Sequence, residues 1–293
     1  ARVNSTDFNL PRILSYTGIV IKAFSYICFF FFAYNIAFHK KIQLRLMLPL
    51  ISYCLIYFSS TERLGYLEIV SVCLVISLVL FGAKHKWKPA GNLKVLIRIL
   101  LIIIATLFVF FLLGSFSGKT LRHGFSETIC KYLGSAIVGL DSYLKYPWES
   151  NAIPGEQTLY SFYYLLKAIG FNIPITKSFL PFFEWANGSS NIYTCLVAPI
   201  QDYGIALTFI TRIAIGFFYG FWTKYIETKA IIRNSPVLIV VFSMFYYPVA
   251  ISCVSDLYLS FIQLNYIYLF IALAVLKLVF VNKRQIRLVR SFA

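Results

Sequence analysis

Three arginines stand where positive charge has no routine explanation. Arg63 closes the run Phe58-Ser-Ser-Thr-Glu62, Arg122 stands beside His123, and Arg212 lies deep inside an apolar run. A guanidinium is permanently charged, and its planar fork of donors matches phosphate oxygens better than an ammonium does. In a partly dehydrated site such groups hold the negative charge that develops on a leaving diphosphate, and losing one costs a few kcal/mol of transition-state stabilisation. For Arg63 and Arg122 the competing reading is snorkelling toward lipid headgroups. Arg212 is too deep for that, and either pairs with a buried carboxylate or lines a substrate path. His123 is a candidate general base, set against a plain surface histidine adjoining Arg122. Carboxylates expected on the same side as Arg63 and Arg122 are Asp7, Glu62, Glu127, Asp141, Glu149, Glu156, Glu184, Asp202 and Asp256. The sequence has no Asp-x-Asp, no His/Asp/Glu cluster at metal-ligand spacing, no phosphate-binding glycine loop and no nucleophile elbow. The chemistry read here therefore uses no metal and no cofactor, with arginines in place of a cation.

The elements that must position these groups are membrane helices. Hydrophobic residues make up 59% of the chain, aromatics 18% and charged residues only 13%, and the apolar residues fall in runs long enough to cross a bilayer. The fold class expected is an all-α polytopic integral membrane protein. Seven spans are drawn at 17–38, 46–59, 64–82, 95–113, 203–222, 236–254 and 260–281. Alternate connectors, those after spans one, three, five and seven, together with the span ends beside them, hold 16 of the 27 Lys and Arg. By the positive-inside rule the intervening loops face outward, including the large loop 114–201. In a bacterial cell with two membranes that side is the periplasm. The formal charge of +16 is thus an orientation signal, and nucleic acid is set aside as a partner. Ala1 to Arg12 is polar and without an initiator Met, so the chain is expected to be an N-terminally truncated piece. Six cysteines lack metal-like spacing and read as small packing residues, with a Cys130–Cys195 disulfide as the alternative.

Within the loop, Ile129, Leu133, Ala136, Ile137, Leu140 and Leu144 form a stripe at helical spacing, with Ser126 as N-cap and Glu127 in the first turn. A second stripe runs through Leu159, Phe162, Tyr163, Leu166 and Ile169 and stops at Gly170. Both helices would lie on the membrane surface or cap a cavity. Lys22 and Glu68 sit nearer span ends and reach for the interface. Gly216-Phe-Phe-Tyr-Gly220 reads as a helix-packing pattern. No internal repeat is visible, which weighs against an inverted-repeat transporter.

Gly188-Ser-Ser-Asn191-Ile-Tyr193-Thr194, then Pro199-Ile-Gln-Asp202-Tyr-Gly204, then an apolar span with Gly216 and Gly220, resembles the signature of bacterial O-antigen polymerases. Ser59-Ser-Thr-Glu-Arg63 resembles the arginine-bearing outer turn of that family. Arg122 followed by Tyr132-Leu-Gly-Ser-Ala-Ile-Val-Gly-Leu-Asp141 resembles the start of its main periplasmic loop. The resemblance spans about Arg63 to Gly220; the mid-span Arg212 departs from it. It implies a membrane glycosyltransferase of the GT-C-like type in the Gram-negative inner membrane, serving lipopolysaccharide biosynthesis. The glycan grown on undecaprenyl diphosphate would pass, with inversion, to a hydroxyl of a second lipid-linked repeat unit. Arg63 and Arg122 would bind the diphosphate. Asn191, Tyr193, Thr194, Asp202, Asp141 and Arg212 are the expected substrate-binding residues, and Trp148 and Trp185 would stack on sugar faces. Turn-fixing by Asn191 to Thr194 and anchoring by interfacial aromatics are the structural alternatives. The implied partners are the lipid-linked oligosaccharide as donor and acceptor, membrane lipids and a chain-length regulator protein. An O-antigen ligase, or a flippase or transporter of the same lipid-linked cargo, are the alternative functions.

Overall fold

The structure is a computed structural model. It describes residues 12–59, 63–87, 97, 100, 101, 104, 105, 107–109, 111, 112, 124–148, 153–175, 180–185, 188–228 and 235–281. Helices dominate. Helix α1 (Arg12–Tyr34) ends in a π turn, Asn35–His39; a 3-10 turn, Leu44–Met47, leads into α2 (Leu48–Ser59), and α3 spans Arg63–Lys84. The loop region supplies α4 (Phe125–Lys145), α5 (Tyr160–Ala168) and a two-stranded antiparallel hairpin, β1 (Phe183–Trp185) with β2 (Gly188–Ser190), in which Phe183 faces Ser190. Then follow α6 (Val197–Thr228), α7 (Pro236–Phe245), the single turn α8 (Tyr247–Ala250) and α9 (Leu264–Leu276).

The main core arises from one stripe on each of several helices. Ala23, Tyr26, Ile27 and Phe30 recur at helical spacing along α1, as do Ile69, Val72, Ile76, Val79 and Leu80 along α3, and all are buried together with Ile239, Val240, Leu269 and Leu273. Polar bonds fix the register between helices. Ser25 Oγ, buried in α1, donates to the Pro49 carbonyl of α2 at 2.8 Å, and the Tyr66 hydroxyl of α3 donates to the Cys54 carbonyl of α2 at 2.8 Å. Lys22 and Glu68 do not reach apart to the interface. They meet between α1 and α3, Nζ to Oε1 at 2.6 Å, with Lys22 Nζ also 5.3 Å from the centre of the Tyr266 ring.

Among the described residues, three helices are long and apolar enough to cross a membrane: Tyr16–His39, Gly65–Lys84 and Val197–Glu227. Leu44–Ile56, Pro236–Ala250 and Leu264–Val279 are apolar but shorter. The expected span 236–254 is broken, because α7 stops at Phe245 and the chain turns through α8 to Val254. Pro248 explains the break, since it has no N–H to give and its ring crowds the carbonyl one turn back. The expected span 203–222 is longer at both ends. Of the expected span 95–113 only scattered residues are described, among them Leu100, Leu101 and Phe108, which are helical and exposed.

The loop region has a small core of its own, formed by Tyr143, Phe183, Tyr193 and Val197 with Trp148, Leu180 and Ile200 packed around it. Helix α4 begins after Gly124 rather than at a Ser126 cap. Only part of the apolar stripe turns inward: Ala136 is buried and Leu140 packs against the small core, Ile137 and Leu144 are exposed, and Thr128, Ser135, Gly139 and Tyr143 are buried instead. Close approach decides the rotation. A Cβ at Gly139 would lie 2.9 Å from the Ile192 carbonyl oxygen and 2.8 Å from a Tyr193 ring carbon, so small residues let the 191–194 segment sit directly on the helix.

Candidate substrate cavity

The apolar sequence from Val197 forms one continuous element except at a single residue. Gly204 has φ 75° and ψ 174° inside α6, a conformation open essentially to glycine alone. The break divides α6 into a short opening segment and a long apolar rod. Its carbonyl accepts a bond from Thr208 Oγ1 at 2.7 Å. Just before the break, Asp202 accepts the backbone N–H of Thr158 at 2.6 Å and of Gln157 at 3.3 Å. These bonds tie the opening segment of α6 to the turn 153–159, in which Glu156 is fully buried. On the other side, the Cys195 N–H donates to the Ser252 carbonyl at 2.9 Å, holding the start of α6 to the turn that follows α8.

These two ties enclose a half-open cavity of about 330 Å³. Thr158, Leu159, Tyr203, Thr211, Arg212, Asp256, Tyr258 and Leu259 line it, with Leu207, Ala214 and Ile215 completing an apolar wall. That volume is at the small end of ordinary ligand sites. Arg212 is its only lining cation among the described residues. Its Nη2 donates to Asp256 Oδ2 at 2.6 Å and to the Cys195 carbonyl at 2.5 Å, while Nη1 lies 3.5 Å from Asp256 Oδ1. The Tyr258 ring centre is 4.9 Å from the guanidinium carbon, within the range of a cation–π contact. Arg212 Nε is buried and has no hydrogen-bond partner among the described residues. Asp256 also accepts the Tyr258 N–H at 3.4 Å. Burial pushes the Asp256 carboxyl above its ordinary range, outweighing the downward pull of Arg212. Burial likewise raises the Tyr258 phenol and the Cys195 thiol.

The structure therefore places Arg212 at the cavity and gives it the buried carboxylate that its depth required. Asp202 is one step removed, bracing the turn that carries Thr158. Tyr193 is in the small core: its ring packs against Phe183 and Trp148, and its hydroxyl donates to the Pro181 carbonyl at 2.8 Å. Thr194 Oγ1 accepts the Leu196 N–H at 3.4 Å at the entry to α6, and Asn191 is half-buried between the hairpin and that entry. Trp148 packs on Tyr143 within the same core, ring centres 4.5 Å apart and planes tilted by 59°. Asp141 is exposed on α4 and pairs with Lys145 one turn on, at 2.8 Å. The structure does not bring Asn191, Tyr193, Thr194 or Asp141 to the cavity wall. Arg122 and His123 lie outside the described residues, as does the side chain of Trp185; Arg63 is the first residue of α3, and its side chain too lies outside them. All six cysteines are free thiols, so no Cys130–Cys195 disulfide is present.

Asp256, Tyr258, Thr158, Thr211 and Tyr203 were not singled out by sequence as one site. One signal was available for the first of them. Asp256 is the single acidic residue after Glu227, and a cation at mid-span in the preceding helix needs a nearby counter-ion. No protein-family model, curated protein or solved structure matches the chain.

Proposed function

We propose that the chain is a membrane glycosyltransferase of the O-antigen polymerase type, joining lipid-linked oligosaccharide repeat units on the outer face of the inner membrane. The observation that carries this reading is the cavity at the seam between a membrane-length helix and the large loop. It combines a fork-shaped cation, the hydroxyls of Thr158, Thr211 and Tyr258, and an apolar wall. An undecaprenyl-diphosphate glycan has the same three parts, an anionic head, sugar hydroxyls and a polyprenyl tail. In this reading the chain has seven spans arranged in the GT-C-like manner, and the loop 114–201 covers the site. Arg63 and Arg122 bind the diphosphate, and Arg212 supports them. The donor's anomeric carbon is attacked by an acceptor hydroxyl as the lipid diphosphate departs. The general base is His123 or a carboxylate of the loop, the buried Glu156 among them.

The test is incubation of the protein in liposomes with purified undecaprenyl-diphosphate repeat units, with Arg122→Ala beside the unaltered protein at matched expression. The expected result is a ladder of longer glycans that disappears in the variant. A folded protein that gives no ladder with its own repeat unit would sink the reading. A transport reading draws on one specific feature, the helix break at Gly204 beside a charged cavity, as discontinuous helices mark transporter sites. A transporter would move repeat units across the liposome without lengthening them. A ligase would extend nothing until given a lipid A core acceptor.

A further inference from the structure

We infer that the Arg212 cavity is an anion site for a phosphate-headed amphiphile, and that Asp256 is an internal counter-ion which the incoming phosphate displaces. The inference rests on the glycosyl-transfer reading for the biological source of the phosphate. The site itself is argued from geometry.

The first observation is the asymmetry of the Arg212 contacts. One terminal nitrogen carries the close contacts, to Asp256 Oδ2 and the Cys195 carbonyl; the other is at the outer limit from Asp256 Oδ1, and Nε–H is buried with no acceptor among the described residues. A guanidinium held this way has donors left over, and a buried donor left unmade carries a desolvation cost that an arriving oxyanion removes. The second observation is how the guanidinium is supported. The Cys195 carbonyl and the Tyr258 ring both favour a cation without neutralising it. Loss of Asp256 therefore leaves Arg212 oriented, still positive and still facing a 330 Å³ cavity. The third observation is the anchoring of Asp256. It sits in a connector between helices and has, among the described residues, one further bond, the long one from the Tyr258 N–H. A carboxylate so lightly tethered, with burial opposing its charge, is a counter-ion that yields to a stronger one. The fourth is the apolar wall of Leu207, Ala214, Ile215 and Leu259 on the same cavity, which selects a phosphate carrying a hydrocarbon chain over a free anion.

The test measures binding without any transfer reaction, so its failure is distinct from failure of the polymerase reading. The purified protein in detergent is titrated with farnesyl diphosphate, inorganic diphosphate and farnesol, with binding followed by thermophoresis. Farnesyl diphosphate should bind at least tenfold more tightly than either of the others. Arg212→Gln should lose that binding at least tenfold. Asp256→Asn, a neutral isostere that keeps the bond to the Tyr258 N–H, should strengthen it at least threefold. The sign of the Asp256→Asn change decides the matter even where Arg212→Gln does not fold, because a merely structural ion pair predicts weaker binding on losing either partner. Equal affinity for inorganic and farnesyl diphosphate, with the same response to both variants, would keep the anion site and assign it to free diphosphate. Farnesol binding as well as farnesyl diphosphate, or Asp256→Asn binding more weakly than the unaltered protein, would overturn the inference.

Discussion

The ion pair of Lys22 with Glu68 makes a sharp prediction because the two ways of reading it differ in sign of coupling. If each side chain snorkels to the membrane surface, each contributes alone and removing either costs little. In the structure they face each other at 2.6 Å with only 13% and 9% of their side chains exposed. At an effective dielectric of about 20, that separation corresponds to a gross attraction of roughly 6 kcal/mol, most of which offsets the desolvation of the two charges. The net worth of the pair is therefore small, but an orphaned partner is costly. Glu68→Gln should destabilise the protein by about 3–5 kcal/mol, since Lys22 keeps its charge with the Tyr266 face but no carboxylate beside it among the described residues, and Lys22→Met should cost a similar amount. The double variant Lys22→Met/Glu68→Leu should return to within about 1 kcal/mol of the unaltered protein. The assay is unfolding in mixed micelles of increasing dodecyl sulfate content, followed by circular dichroism, on all four proteins of the cycle. Single substitutions that each cost under about 1 kcal/mol and simply add would refute a buried, mutually dependent pair.

Two further outcomes follow from the loop and the helix break. Gly204→Ala meets no atom within 4 Å, so its cost is conformational alone, about 1–3 kcal/mol; the same unfolding assay reads it, and no loss of stability would mean that α6 is unbroken. Tyr193, whose phenol is pushed up to about 12 by burial, binds its proton more tightly folded than unfolded. The stability it contributes is complete below pH 10 and is lost as pH rises through about 12. Loop unfolding tracked by protease cleavage should therefore set in across that interval, and Tyr193→Phe should flatten the dependence; an unchanged alkaline limb in the variant would place the titrating group elsewhere.

What was legible in the sequence, and what was not, follows from the range of the physics involved. The apolar runs of α1, α3 and α6 declare themselves by length, and the stripe from Leu159 to Ile169 became α5, ending short of Gly170. A hydropathy run cannot report where a helix breaks. Gly204 and Pro248 are ordinary in composition, yet they decide that α6 kinks and that the 236–254 run stops early. Helical spacing found α4 but assigned its buried face by apolar character, whereas close approach of the Ile192 carbonyl selected the face that carries Gly139. The same limit applied to the site. Charge in an apolar run made Arg212 conspicuous, because such a charge must be matched by something near in space. Which group matches it depends on how α6 packs against a connector more than forty residues on, and no local pattern encodes that. Tyr193 shows the converse: a motif can be conspicuous in sequence because it builds the platform. Its ring and hydroxyl are both committed to the small core. That core fixes Val197 and with it the start of α6, which follows the Cys195 carbonyl and carries Asp202. The block from Asn191 to Thr194 thus helps position the cavity, and the positive charge in its lining comes from Arg212.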